Sequence, residues 1–120
     1  MTPTKDKRAS MRFNKVFQVS VSSEDYGEVP AVARNISDCG MQIETAAPLP
    51  LGSHVRVHFR VADEGEGIIA RAEVKNHYSF NYADGGRLCW SRGMGVRFLE
   101  FLDEGGDVLR SSLRRLGTLH

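Results

Sequence analysis

The sequence predicts a mainly β protein: a small antiparallel barrel of six to seven strands with one α-helix at its C-terminal end. Three observations carry that prediction. Apolar and polar residues alternate in most of the segments between residues 13 and 98, which is the period of half-buried strands. Clusters of Gly, Pro, Asn and Asp interrupt these segments at short intervals, as hairpin connections do. After residue 103 the apolar period changes to that of a helix.

The first strand is expected within residues 13–22, where Phe17, Val19 and Val21 alternate with polar neighbours. Residues 23–27 are turn chemistry, and a second strand follows over 29–36. A third begins after Gly40, with Met41, Ile43 and Thr45 on one face. The prolines of Pro48-Leu49-Pro50 cannot extend a ladder, so a loop to Gly52 separates the third strand from the fourth. The fourth has the cleanest alternation: Val55, Val57, Phe59 and Val61 on one face, His54, Arg56, His58 and Arg60 on the other. Residues 63–67 close a hairpin, and a fifth strand covers 68–78. Asn81 to Gly86 reads as another turn, and residues 88–90 and 94–98 supply the last strand or pair of strands. In the tail, Val108, Leu109, Leu113 and Leu116 recur at helical spacing, with Arg110, Arg114 and Arg115 opposite. Asp103 is the expected cap and Gly117 the expected stop. The chain thus divides into a flexible N-terminal segment, 1–12, and a barrel domain, 13–120, whose helix starts at about residue 103.

Composition narrows the function classes. A 120-residue chain that is 41% hydrophobic and 26% charged can bury a core of its own as one globular domain. Its apolar runs are too short to span a bilayer and its start is polar, so membrane insertion and export are not expected and the cytoplasm is the expected location. Cys39 and Cys89 are therefore expected as thiols. A net charge of +1 provides no general attraction to nucleic acid, and no run of exposed aromatics suggests a base-stacking platform. His54 and His58 on a strand would stand about 13 Å apart, too far to share a metal ion. No nucleophile elbow, P-loop or dinucleotide fingerprint occurs, so neither catalysis nor a cofactor is expected.

The chemistry concentrates in two short motifs. Arg8-Ala9-Ser10-Met11-Arg12 puts two guanidinium groups four residues apart in a polar tail. Asn35-Ile36-Ser37-Asp38-Cys39-Gly40 puts an amide, a hydroxyl and a glycine where one apolar run ends and the next begins. Arginine forks suit phosphate oxygens and the O6/N7 edge of guanine, and Asn and Ser hydrogen-bond the remaining base and ribose edges. Together they describe a site for an anionic guanine nucleotide. Lys7 and Arg34 are candidates for additional contacts.

In order and spacing, R-x-x-x-R followed by [D/N]-x-S-x-x-G resembles the signature of the PilZ family. The resemblance extends to Leu49-Pro50-Leu51-Gly52 before a long strand and to Gly95-Val96-Arg97-Phe98 before the helix. It implies a receptor or adaptor for the bacterial messenger cyclic di-GMP. Arg8 and Arg12 would contact phosphates and a guanine edge, and Asn35, Ser37 and Gly40 would line the base pocket. Lys7 would influence whether one ligand or a stacked pair is held. The arginine segment would order on the ligand and signal to an unidentified protein effector, as a monomer or a homodimer. Two departures stand out: Asn35 occupies a position that is often Asp, and no Trp falls late in the fifth strand, Trp90 coming after the next loop. The alternative is an interaction module in motility, pilus or regulatory assemblies that works without the nucleotide.

Overall fold

The computed structural model describes residues 12–61 and 65–118. The chain forms β1 (Phe17–Ser23), β2 (Gly27–Ile36), β3 (Gly40–Glu44), β4 (His54–Phe59), β5 (Ile68–Asp84) and β6 (Arg87–Phe101). A helix, α1 (Gly105–Thr118), follows. The six strands close into an antiparallel barrel in the order β1-β2-β3-β6-β5-β4. Closure comes from β1, which pairs with β2 from Phe17↔Ala33 to Ser23↔Gly27 and with β4 from Val19↔Phe59 to Ser22↔Arg56.

Alternation sets what lies inside. Val19 and Val21 of β1, Val55, Val57 and Phe59 of β4, and Ala70, Ala72 and Val74 of β5 all point into one core. Phe98 stacks on Phe59, with ring centroids 6.0 Å apart. Leu109 and Leu113 of α1 join the same core, while Arg110 and Arg114 stay exposed. The helix therefore completes the barrel interior with its apolar stripe.

Three expectations about local structure change. Asp103 does not cap the helix: it sits in a left-handed turn at φ 54°, and the first helical amide contact runs from Val108 N–H to the carbonyl of Glu104 (3.1 Å). The helix also continues through Gly117, the expected stop. More consequentially, residues 81–84 are strand rather than turn. They pair with β6 as Asn81↔Trp90, Tyr82↔Cys89, Ala83↔Leu88 and Asp84↔Arg87. Only Gly85 and Gly86 form the connection, at φ 62° and 82°. Two successive positive φ angles are the requirement of the tight hairpin turn whose twist matches its strands, and glycine meets it without a steric penalty. Residues 88–90 and 94–98, expected as the last strand or pair of strands, belong to one 15-residue strand opposite a 17-residue partner. β4 pairs with β5 only as far as Glu73, and β3 pairs with β6 only as far as Gly93, so the rest of this hairpin rises past the barrel wall as a two-stranded ribbon.

Candidate functional site

The second motif is the β2–β3 connection and the end of the strand leading into it. A register shift between Ala33 and Asn35 marks a bulge at Arg34. The extra residue advances the alternation, so Ala33 and Ile36, three apart, are both fully buried. Ser37 then starts the turn. It is 0% exposed; its N–H donates to the Gly40 carbonyl (2.9 Å) and its hydroxyl oxygen accepts the Cys39 N–H (3.1 Å). A hydroxyl closing on the amide two residues on is a serine turn, and here it satisfies an amide that the strand ladder leaves out. The Phe98 N–H donates to the Cys39 carbonyl (2.7 Å) and ties the turn to β6.

Gly40 is required for a reason other than the one its position in a turn suggests. Its φ is not positive. A Cβ built there would lie 2.1 Å from the Val96 carbonyl oxygen, inside van der Waals contact. Glycine allows β3 to run tightly against β6 at Gly40↔Arg97.

The first motif reaches this turn through its last residue. Phe13 exchanges both backbone hydrogen bonds with Ile36 (2.8 and 3.0 Å), an isolated bridge outside the main strands. That bridge lays Arg12 beside the end of β2. Its Nη1 donates to Asn35 Oδ1 (2.6 Å), joining positions 23 residues apart in sequence. Asn35 Nδ2 in turn donates to Gln42 Oε1 (2.7 Å), its cross-strand partner on β3. Arg12 and Asn35 are thus brought together, while Ser37 and Gly40 shape the adjoining turn from inside. Lys7, Arg8 and the expected flexible segment up to residue 11 lie outside the described residues. Arg34, a candidate for a further contact, forms an ion pair with Glu44 (2.8 Å).

Cross-strand register extends the site over the barrel's outer face. Gln42 is opposite Gly95, and Gly95 is opposite Asn76; Glu44 is opposite Gly93, and Gly93 is opposite Tyr78. Directly opposed residues share a face. The two glycines leave β6 bare there, and neighbours lie across them: a Cβ at position 95 would be 2.3 Å from Asn76 Oδ1, and one at 93 would be 2.4 Å from the Tyr78 ring. The Tyr78 hydroxyl is pushed above its ordinary pKa, first by burial and then by the Glu44 carboxylate, with Arg34 opposing. It is neutral at physiological pH. The face is consequently shallow, amide-rich and floored by glycine, with a guanidinium at its edge. Gln42, Asn76 and Tyr78 were not singled out from sequence. Their signal was the Gly93-x-Gly95 spacing, which clears one face of an alternating strand.

Above this face, Glu44, Thr45, Ala46, Trp90, Ser91 and Arg92 line a hollow of about 300 Å³. Trp90 is 59% exposed, with the Arg92 guanidinium 5.5 Å from its ring centroid. His54 and His58 stand on the exposed face of β4. Among the described residues no three His, Cys, Asp or Glu side chains are grouped to hold a metal ion, and Cys39 and Cys89 are thiols. No described helix is long and apolar enough to cross a membrane.

Comparison with known proteins follows the same outline. The model of the PilZ domain matches residues 6–116. No curated protein sequence matches the chain. Among solved structures, the chain resembles the PilZ domain with c-di-GMP of YcgR from Escherichia coli at TM-score 0.71 and 18% identity, covering 94% of this chain and 91% of that one. It resembles the Bacillus subtilis inhibitor of motility (MotI/DgrA) at TM-score 0.68 and 22% identity. That match covers 91% of this chain, which spans only 51% of the Bacillus protein's length. A third similar structure is the PilZ domain of CeSA from a cellulose-synthesizing bacterium, at TM-score 0.55 and 23% identity, covering 92% of this chain and all of that one (100%). At these identities the likeness is one of fold.

Proposed function

The chain belongs to the PilZ domain family, and from that premise we propose that it is a receptor for cyclic di-GMP. PilZ domains are receptor and adaptor modules rather than enzymes. The observation that carries the reading is the Arg12–Asn35 hydrogen bond, which unites the two motifs at one edge of the glycine-floored face. Arg12 supplies a fork for a phosphate or a guanine edge, and Asn35 supplies hydrogen bonds to the base. Ser37 and Gly40 act through the turn they build. Arg8, four residues before Arg12, grips the ligand from the other side, with Lys7 beside it. The solved Escherichia coli domain carries c-di-GMP and supports the choice of ligand.

Binding orders the arginine segment over the ligand, and the newly formed surface signals to a protein effector. Fixing backbone costs about 1–2 kcal/mol per residue, which draws on the arginine contacts and sets the dissociation constant at about micromolar. Arg12 leaves Asn35 in that step, so the ligand-free contact acts as a latch on a half-assembled site.

Calorimetric titration with cyclic di-GMP tests the proposal. The expected result is one saturable transition of about micromolar affinity, abolished in Arg12→Ala and in Arg8→Ala, with unchanged circular dichroism in both. No heat with the wild-type chain, or wild-type binding by the Arg8→Ala/Arg12→Ala double variant, would overturn it. Normal cellular function in that double variant would favour the nucleotide-independent interaction module.

A further inference from the structure

The β5–β6 ribbon leaves one strand edge open. β3 follows β6 as far as Glu44↔Gly93, and a last bond runs from the Thr45 N–H to the Arg92 carbonyl (3.0 Å). The chain then bends at Ala46 and Ala47, and among the described residues no strand takes its place beside residues 87–91. The hollow of about 300 Å³ beside Trp90 is the start of that vacated lane. Along an antiparallel strand, successive residues turn their N–H and C=O to opposite edges. Arg92 turns its carbonyl to the β3 side, so Trp90 and Leu88 turn theirs to the empty lane.

An edge of this kind is a template for another strand unless charge, proline or a bulge blunts it. Leu88, Cys89, Trp90 and Ser91 include no charge and no proline. Their register with β5 is unbroken from Asn76↔Gly95 to Asp84↔Arg87. Leu88 is 79% exposed and Trp90 59%, and the two share one face of the ribbon. The ribbon's other edge, on β5, carries Asn81 and Asp84, residue types that strands disfavour.

We infer that the free edge of β6 pairs with the same edge of a second copy of this chain, centred on Cys89. A two-fold axis normal to the ribbon makes the two strands antiparallel and keeps each face on its own side. A residue then opposes either itself or one an even number of positions away. Centring on Leu88 sets Trp90 against Gly86, and centring on Trp90 sets Leu88 against Arg92. Centring on Cys89 sets Leu88 of each copy against Trp90 of the other, so both apolar side chains are matched. In that register Leu88 and Trp90 exchange both backbone hydrogen bonds across the axis. The two Cys89 residues become a non-hydrogen-bonded pair with Cα atoms about 4.5 Å apart. Arg87 opposes Ser91 and Arg92 opposes Gly86, so no like charges meet. The contact spans few residues, which places the dissociation constant at about 0.1–1 mM and leaves the ribbon free in dilute solution.

Disulfide trapping of the full chain without nucleotide tests this independently of the receptor reading. The chain is held at about 1 mM, the upper end of the expected range, and treated briefly with diamide, which takes two electrons and two protons from a thiol pair. Cys39→Ser, which keeps the Cys89 thiol, is compared with Cys39→Ser/Cys89→Ser/Arg87→Cys, whose thiol lies two residues along the same edge. In the inferred register the two thiols at position 87 stand more than about 13 Å apart, beyond disulfide reach, so position 89 should link at least about tenfold faster. Adding Leu88→Lys to Cys39→Ser should remove that advantage, with circular dichroism unchanged. Sedimentation velocity should show the wild-type chain self-associating at the same concentration, and Leu88→Lys monomeric. Equal linking from positions 87 and 89, linking at 89 undiminished by Leu88→Lys, or a monomeric wild type would overturn the inference.

Discussion

Gly40 shows how a single residue can be legible in sequence for the wrong reason. Its place at a strand junction suggests a left-handed turn, yet its backbone is ordinary and the constraint is the Val96 carbonyl 2.1 Å from where a Cβ would stand. Gly40→Ala is expected to destabilise the protein by about 1–3 kcal/mol, the usual cost of forcing atoms into a packed site. Urea unfolding reads this as a lowered midpoint with the slope unchanged. A variant within about 0.5 kcal/mol of wild type would mean that β3 can move off β6 without penalty. Ser37 is similar, because its hydroxyl is legible as a ligand donor but is fully buried and satisfies the turn. Gln42 has only the indirect signal of the Gly93-x-Gly95 spacing, since its place at the site depends on the register that sets it opposite Asn35.

Among the elements, β4 and the β5–β6 hairpin contrast most. The alternation of Val55, Val57 and Phe59 is legible because β4 has one face on the core along its whole length. Residues 79–84 and 87–92 lack that guide, because beyond the barrel wall none of their described side chains belongs to the core. Asn81, Ala83 and Asp84 then read as turn, although the Gly85-Gly86 pair holds them in a ladder with β6. The ribbon is joined to the protein through its base. Its amides should therefore open independently of the core. Hydrogen exchange should show residues 80–90 exchanging about a hundredfold or more faster than those of 70–74 and 94–98, equivalent to about 3 kcal/mol less protection. Equal protection along both strands would mean that the ribbon is stabilised by contacts beyond its own ladder.

At the scale of the whole molecule, β1 closes the barrel against β4 and α1 fills its interior, so helix and sheet share one core. Leu109 is 1% exposed, and Leu109→Ala should cost about 2–5 kcal/mol. Helix and barrel should still unfold in a single transition, with coincident far- and near-ultraviolet circular dichroism curves. A separate early loss of helix, with the barrel's midpoint unchanged, would show that α1 is only an appendage. The sequence by itself determined the β class, the C-terminal helix and the two motifs, because periodicity and residue chemistry are local properties written into neighbouring positions. Tertiary structure decided the rest. The Phe13–Ile36 bridge lays Arg12 against Asn35, cross-strand register adds Gln42, Asn76 and Tyr78, and paired glycines 93 and 95 clear the face between them. Those relations span strands far apart in the chain, and only closing the barrel assigns each residue its neighbour.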